Sequence, residues 1–125
     1  MLELDHLILR VSDALASARF YEEVLGLRHE GHAEPFELLR INAGSTLDLL
    51  AAPPRDPAHL AFRLDRPAFE QARTRLQALG IAYGGGPFER DGRSAPQLGA
   101  RGWAESIYFH DPDQHNIELR CDEPR

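Results

Sequence analysis

The sequence predicts an α+β fold made of two copies of one unit, a strand and a helix followed by three strands. Three observations lead there. Asp5-His6-Leu7-Ile8-Leu9-Arg10 near the start is echoed by His59-Leu60-Ala61-Phe62-Arg63-Leu64, with the two histidines 53 residues apart. Each of these strand-like segments leads into an amphipathic stretch that stops at a glycine, Gly26 and Gly80. A segment rich in proline, Pro53-Pro54-Arg55-Asp56-Pro57, separates the copies and is stiff enough to end the strand before it. The chain thus divides into a first module (1–52), a linker (53–58) and a second module (59–125). Together they make one domain of 125 residues, long enough for a real core.

The elements follow in order. Residues 5–11 alternate and carry branched side chains, as a strand does. Ser12 or Asp13 caps a helix reaching Leu25, with Leu15, Tyr21, Val24 and Leu25 as its apolar face and Gly26 as its stop. Residues 27–32, 36–42 and 46–51 read as three strands, the last two joined by the turn Ala43-Gly44-Ser45. In the second module residues 59–64 form a strand and Asp65 caps a helix with Pro67 in its first turn. Phe69, Ala72, Leu76 and Leu79 recur there at helical spacing. Residues 81–83 begin the next strand. Residues 84–102, rich in glycine, proline and charge, read largely as a mobile loop, with Gly84-Gly85-Gly86 as a flexible strand edge. Residues 106–110 and 116–120 are the last two strands, joined by the turn Asp111-Pro112-Asp113-Gln114.

Composition narrows the function. A net charge of −6 and a pI near 5.4 argue against a nucleic-acid partner. No apolar run is long enough to span a membrane, and no basic segment precedes an apolar one at the start, so a soluble, cytoplasmic protein is expected. The single cysteine, Cys121, excludes an internal disulfide and a multi-cysteine zinc site, and reads as structural or incidental. All 14 basic residues are arginine, which excludes lysine Schiff-base chemistry and a P-loop.

Strand parity then points to a site. Successive side chains of a strand face opposite ways. Leu7, Leu9 and Val11 share one face of the first strand, and His6, Ile8 and Arg10 the other. The same separation sets Asp48 against Leu47 and Leu49, His59 against Leu60 and Phe62, and Glu118 against Ile117 and Leu119. Each of four strands has an apolar face suited to packing under a helix and one potential metal ligand on the other face: His6, Asp48, His59 and Glu118. Two imidazoles and two carboxylates suit Mn, Fe, Co, Ni or Zn with open positions, not a closed structural zinc site. Such an ion polarises carbonyls, stabilises enediolates or activates water or dioxygen, and a carboxylate ligand such as Glu118 can double as a base. His29 and His32 read as surface residues, and Trp103 as a packing residue after the loop.

The chain resembles the vicinal oxygen chelate superfamily: glyoxalase I, extradiol dioxygenases, fosfomycin-resistance thiol transferases and bleomycin-binding proteins. The marks are Leu4-Asp5-His6-Leu7, Phe20-Tyr21-Glu22-Glu23-Val24-Leu25-Gly26-Leu27, His59-Leu60-Ala61-Phe62, and Asp111-Pro112-Asp113 with Ile117-Glu118-Leu119. The resemblance implies paired βαβββ modules forming a curled, mixed eight-stranded sheet around a divalent metal. It puts His6, His59 and Glu118 on the usual ligand positions, and Asp48 where glyoxalase I carries a glutamate. Asp48 is one methylene shorter, about 1.5 Å less reach. Gln114 and His115 replace the usual Gly-Asn, which should alter only the turn. In a dioxygenase the second-shell histidine and tyrosine would be His110 and Tyr108. Arg10, Arg63 and Arg120 are the candidates for contacting an anionic substrate. The resemblance also implies a homodimer whose sites draw His6 and Asp48 from one chain and His59 and Glu118 from the other. The resulting expectation is a metal-dependent enzyme acting on a small oxygen-rich molecule, with glyoxalase-like lyase or isomerase chemistry first. An extradiol dioxygenase and a metal-free drug- or metabolite-binding protein are the alternatives.

Overall fold

A computed structural model describes residues 1–125, which form two compact units, Met1–Pro57 and Ala58–Arg125. The first contains β1 (His6–Val11), α1 (Ala14–Leu25), β2 (Arg28–Ala33), β3 (Phe36–Asn42) and β4 (Ser45–Ala51). Its sheet runs β1-β4-β3-β2, with β1 and β4 parallel and the remaining pairs antiparallel. The Asp13 side chain accepts the Ala16 N–H at 3.0 Å and so caps α1, while Gly26 ends the helix in the left-handed region at φ 69°. Ser17, Ala18, Tyr21 and Val24 form the buried stripe of α1, and Leu9, Val11, Leu39, Leu47 and Leu49 the apolar face of the sheet. Full burial of each large side chain contributes roughly 1.5–3 kcal/mol. Leu15, expected on that stripe, is exposed: the stripe is rotated to the small residues Ser17 and Ala18, which let the helix lie close.

The second unit contains β5 (His59–Arg63), α2 (Arg66–Ala78), β6 (Tyr83–Gly84), β7 (Ala95–Gly99), β8 (Gly102–His110) and β9 (Asn116–Cys121). Its strands run β5-β9-β8-β6, β5 and β9 being parallel, and β7 also pairs with β8. Asp65 caps α2 through the Ala68 N–H at 2.9 Å, with proline at the first turn. Phe69, Ala72 and Leu76 are buried, as are Ile107, Phe109, Ile117 and Leu119 of the sheet. Leu79, expected with them, is exposed because the helix proper ends one residue before it.

The α+β class and the repeated strand–helix–strands order hold. The strands form two mixed sheets of four and five strands, not one sheet of eight. The extra strand is β7, which lies in the stretch expected to be a mobile loop. The glycine run does begin in an edge strand, β6, but it is close-packed and not flexible: a Cβ on Gly84 would lie 2.2 Å from the Glu89 carbonyl oxygen, and one on Gly85 2.6 Å from Ala95 Cβ. Arg90 pins the segment by donating to the carbonyls of Gly86, Pro87 and Glu89 and to Asn116 Oδ1. Neither helix is long and apolar enough to cross a membrane.

Candidate metal centre and ligand cavity

Strand register places the four predicted ligands as two equivalent pairs. In the first unit His6 faces Thr46, and Asp48 stands two residues further along β4. In the second His59 faces Asn116, and Glu118 stands two residues further along β9. Parallel pairing with an offset of two puts each histidine and its carboxylate on one face of its sheet.

The second pair is in contact. His59 donates Nδ1–H to the Asn116 carbonyl at 3.0 Å, which leaves Nε2 facing Glu118 Oε1 at 3.2 Å. The other carboxylate oxygen, Oε2, accepts from Ser106 Oγ at 2.8 Å and from Arg120 Nη1 at 2.6 Å. Burial raises the Glu118 pKa, but hydrogen bonds from Arg120, Ser106 and Tyr108 outweigh it and hold the carboxyl below its usual range. Tyr108 stacks on the His59 ring, with centroids 5.8 Å apart and planes 19° from parallel. Burial, followed by the nearby Glu118 carboxylate, pushes the Tyr108 phenol up to about 12, so it stays a proton donor at neutral pH.

The first pair is built differently. His6 bonds Asp5 Oδ2 through Nδ1 at 2.8 Å. That bond, against some desolvation and with help from Asp48, raises the His6 pKa. Asp48 is buried, and its Oδ1 has no hydrogen-bond partner. Arg10, two residues past Ile8, is half-buried on the same face as His6.

These residues fit a divalent ion as two half-sites. No group of three or more His, Cys, Asp or Glu side chains is arranged to hold a metal. Within the second unit, however, two donors bound to one ion at about 2.0–2.2 Å would stand about 3.0–3.4 Å apart, and the His59 Nε2 to Glu118 Oε1 separation is 3.2 Å. A histidine whose other nitrogen donates to a backbone carbonyl is oriented as metal-bound histidines are. A neutral His59 ring would set two lone pairs against each other, which a shared cation relieves. The unpartnered Asp48 oxygen in the first unit is likewise a vacant acceptor.

Beside Glu118 lies a cavity of about 340 Å³. His59, Ala61, Glu118 and Arg120 line one side, and the hairpin tip from Leu98 to Arg101 the other. Arg63 reaches this cavity but is held by Asp122 in a two-toothed pair at 3.0 and 3.2 Å. Arg120 is held by Glu118. His110 stands at the exposed end of β8 against Arg90 Nη2 at 3.2 Å and does not line the cavity.

A family profile described as the Glyoxalase/Bleomycin resistance protein/Dioxygenase superfamily matches residues 3–119. The chain belongs to this superfamily. It is 35% identical over 125 residues to Virulence protein STM3117 of Salmonella typhimurium (strain LT2), covering 93% of this chain and 81% of that one. Among solved structures it resembles Oxidase ChaP-H2 with a TM-score of 0.86 at 31% identity, over 98% of this chain and 94% of that one. It also resembles a glyoxalase/dioxygenase from Nostoc punctiforme with a TM-score of 0.71 at 30% identity, over 98% and 92%. Superfamily membership carries small-molecule binding and, commonly, a divalent metal.

Sequence reasoning missed several supporting groups. Ser106 and the Asn116 carbonyl fix the two ends of the His59–Glu118 pair. Parity along β8 puts Ser106, Tyr108 and His110 opposite Arg120, Glu118 and Asn116, so the registered hairpin held that signal. His115 is buried, and its Nδ1 accepts the Ala58 N–H at 2.8 Å, anchoring the chain next to His59. The residue that replaces the usual asparagine therefore does more than alter the turn. Gln114 meanwhile sits at φ 68°, where glycine is usual. Trp103 is exposed and not packed. His29 and His32 both bond Glu37, because a bulge in β2 between His29 and Gly31 turns them to the same side.

Proposed function

We propose that this protein is a divalent-metal-dependent enzyme that oxidises a small oxygen-rich molecule with dioxygen. The observation that carries this reading is the His59 Nε2 to Glu118 Oε1 pair at 3.2 Å, with every other polar atom of both side chains already engaged. His6, His59 and Glu118 make a set of two histidines and one carboxylate, the ligand set of non-haem iron oxygenases. The similarity to an oxidase over almost the whole chain supports oxidation ahead of lyase chemistry. Bound there, a redox-active ion supplies Lewis acidity and access to dioxygen. The chain's residues do the rest. Arg120 and Ser106 hold Glu118 as an anion and leave one oxygen for the ion. Asn116 fixes the His59 tautomer. Tyr108 keeps its proton, donates it in a hydrogen bond to Glu118 and stacks on His59. Arg10, Arg63 and Arg120 are the proposed contacts for an anionic substrate group, and Arg63 and Arg120 also pair with Asp122 and Glu118.

A second reading, glyoxalase-like lyase or isomerase chemistry, is favoured by one observation: the unpartnered Asp48 oxygen offers a fourth ligand. Superfamily resemblance further supports a homodimer in which the first pair of one chain and the second pair of the other serve one ion.

The test is elemental analysis of tag-free protein reconstituted with Fe, Mn or Ni, followed by oxygen uptake with catechols and turnover of 2-oxoaldehyde–thiol adducts. About one ion per chain is expected, with oxygen uptake. His59→Ala should lose most of the ion, at least a hundredfold in affinity, while circular dichroism stays unchanged. Retention should fall on acidification, because imidazole ligands must be neutral. Adduct turnover that is lost in Asp48→Ala would favour the second reading. A protein that takes up no ion would be a metal-free binder. In the dimer, mixing His6→Ala with Glu118→Ala chains should restore part of the activity.

A further inference from the structure

Arg120 joins two parts of the second unit that the function proposed above treats separately. Its Nη1 donates to Glu118 Oε2 at 2.6 Å and to Ser106 Oγ at 3.2 Å. Its Nη2 donates to the carbonyl oxygens of Gln97 and Gly102, each at 3.0 Å. Gln97 and Gly102 bracket the tip of the β7–β8 hairpin, residues 98–101, made of the last two residues of β7 and the two-residue turn after them, and all four line the cavity. The tip rests directly on the guanidinium: a Cβ at Gly99 would stand 2.5 Å from Arg120 Cζ. A rigid planar fork thus has one tooth on the ligand carboxylate and the other under the cavity wall. The β7–β8 arm beyond it is weakly held from outside, since the cross-strand pair Leu98 and Trp103 is exposed at 68% and 67%.

We infer that Arg120 is a positioning residue that couples the charge on Glu118 to the seating of the hairpin tip 98–101, so that a cation arriving at Glu118 reshapes the cavity wall. The physical reason is direct. The anionic carboxylate draws the guanidinium in and aims Nη2 at the two carbonyls. A divalent cation on Oε1 withdraws charge from the carboxylate and repels the guanidinium across a short, largely buried distance. Because the fork is rigid, a shift at Nη1 tilts Nη2 and slackens its hold on Gln97 and Gly102. Ion binding would then loosen this wall of the cavity. This rests on Glu118 being an ion ligand.

Amide hydrogen exchange of residues 97–103, with Trp103 fluorescence as a second readout, tests the coupling. Trp103 is the chain's only tryptophan and sits on the moving arm. In the absence of metal, Glu118→Gln should speed exchange across 97–103 through local opening, by about tenfold or more under conditions where the α2 amides do not yet exchange by global unfolding. Glu118→Asp, which keeps the charge, should lie between it and the wild type. Arg120→Lys keeps a positive charge but cannot span both sites, so it should loosen the arm as Glu118→Gln does. Zinc should loosen the arm in the wild type and add nothing in Arg120→Lys, while His59→Ala should blunt the zinc response. An unchanged arm in folded Glu118→Gln overturns the inference, as does zinc that binds by calorimetry without moving the arm. If zinc does not bind the wild type but Glu118→Gln still loosens the arm, the coupling stands and the metal reading fails.

Discussion

His6 with Asp48 and His59 with Glu118 occupy the same place in their units, at the same offset along the same kind of parallel strand pair. Their surroundings differ sharply. Glu118 is gripped by Arg120, Ser106 and Tyr108. Asp48 leaves one buried oxygen with no partner. The repeat of the fold therefore fixes where a ligand can stand, and each unit's own side chains decide how firmly it is held. The second unit holds its carboxylate below the usual carboxyl range beside a cavity. The first leaves one oxygen of its carboxylate without a hydrogen bond.

The largest effects should come from the gripped carboxylate. Glu118→Gln leaves the partly buried Arg120 guanidinium without its counter-charge and should cost about 3 kcal/mol in urea unfolding. The comparison breaks if the equivalent change in the first unit costs as much. Asp48→Asn should stay within about 1 kcal/mol of wild type, since no hydrogen bond to that oxygen is lost.

Acid should sharpen the same contrast. Burial raises the Glu105 pKa, but Ser94, Arg66 and Arg125 outweigh it and bring it down to about 2. A depressed carboxyl stabilises the fold above its ordinary pKa, and that stability is lost as pH falls toward the folded value. Glu105 should contribute about 2–3 kcal/mol at neutral pH, lost progressively below about pH 4.5 and absent in Glu105→Gln. The first unit should respond on the alkaline side. Its buried Glu37 is held by imidazoles, and His32 is raised by its bonds to Glu34 and then Glu37. A raised histidine stabilises below its ordinary pKa, and that contribution fades as pH rises through the folded value. Ring-proton titration should show His32 deprotonating above the usual histidine range, with Glu34→Gln bringing it down.

The smallest predicted effect is a control on the repeat itself. Asp13 and Asp65 cap their helices alike, at 3.0 and 2.9 Å. Asp13→Ala and Asp65→Ala should each cost about 1 kcal/mol by thermal unfolding. A large difference between them would show that the two helices are not equivalent.

Much of the fold was legible in the chain because it rests on local rules. Caps at Asp13 and Asp65, the glycine stops, the bounds of β3 and the parity of β1, β4, β5 and β9 follow from side-chain spacing alone. The stretch 84–102 was not legible. Its glycines and proline signal a loop, yet β7 forms because β8 supplies a partner edge, and the glycines are there for close approach, not for freedom. Similarly, Leu15 and Leu79 match a helical period but fall outside the buried stripe, which packing sets and periodicity does not.

By itself the sequence determined the repeated order of elements and which residues face away from the apolar side: His6, Asp48, His59 and Glu118. Alternation along a strand is a covalent property and needs no partner. What only the tertiary structure decided is the company those residues keep. Arg120 reaches Glu118 from two residues away along β9, Ser106 from the neighbouring strand, and the Gln97 and Gly102 carbonyls from a hairpin about 20 residues distant in sequence. Hydrogen bonds fall off within a few tenths of an ångström. Which donor meets which acceptor is therefore set by strand register and by the close seating of Gly99 on a guanidinium, and neither is written in the spacing of one strand.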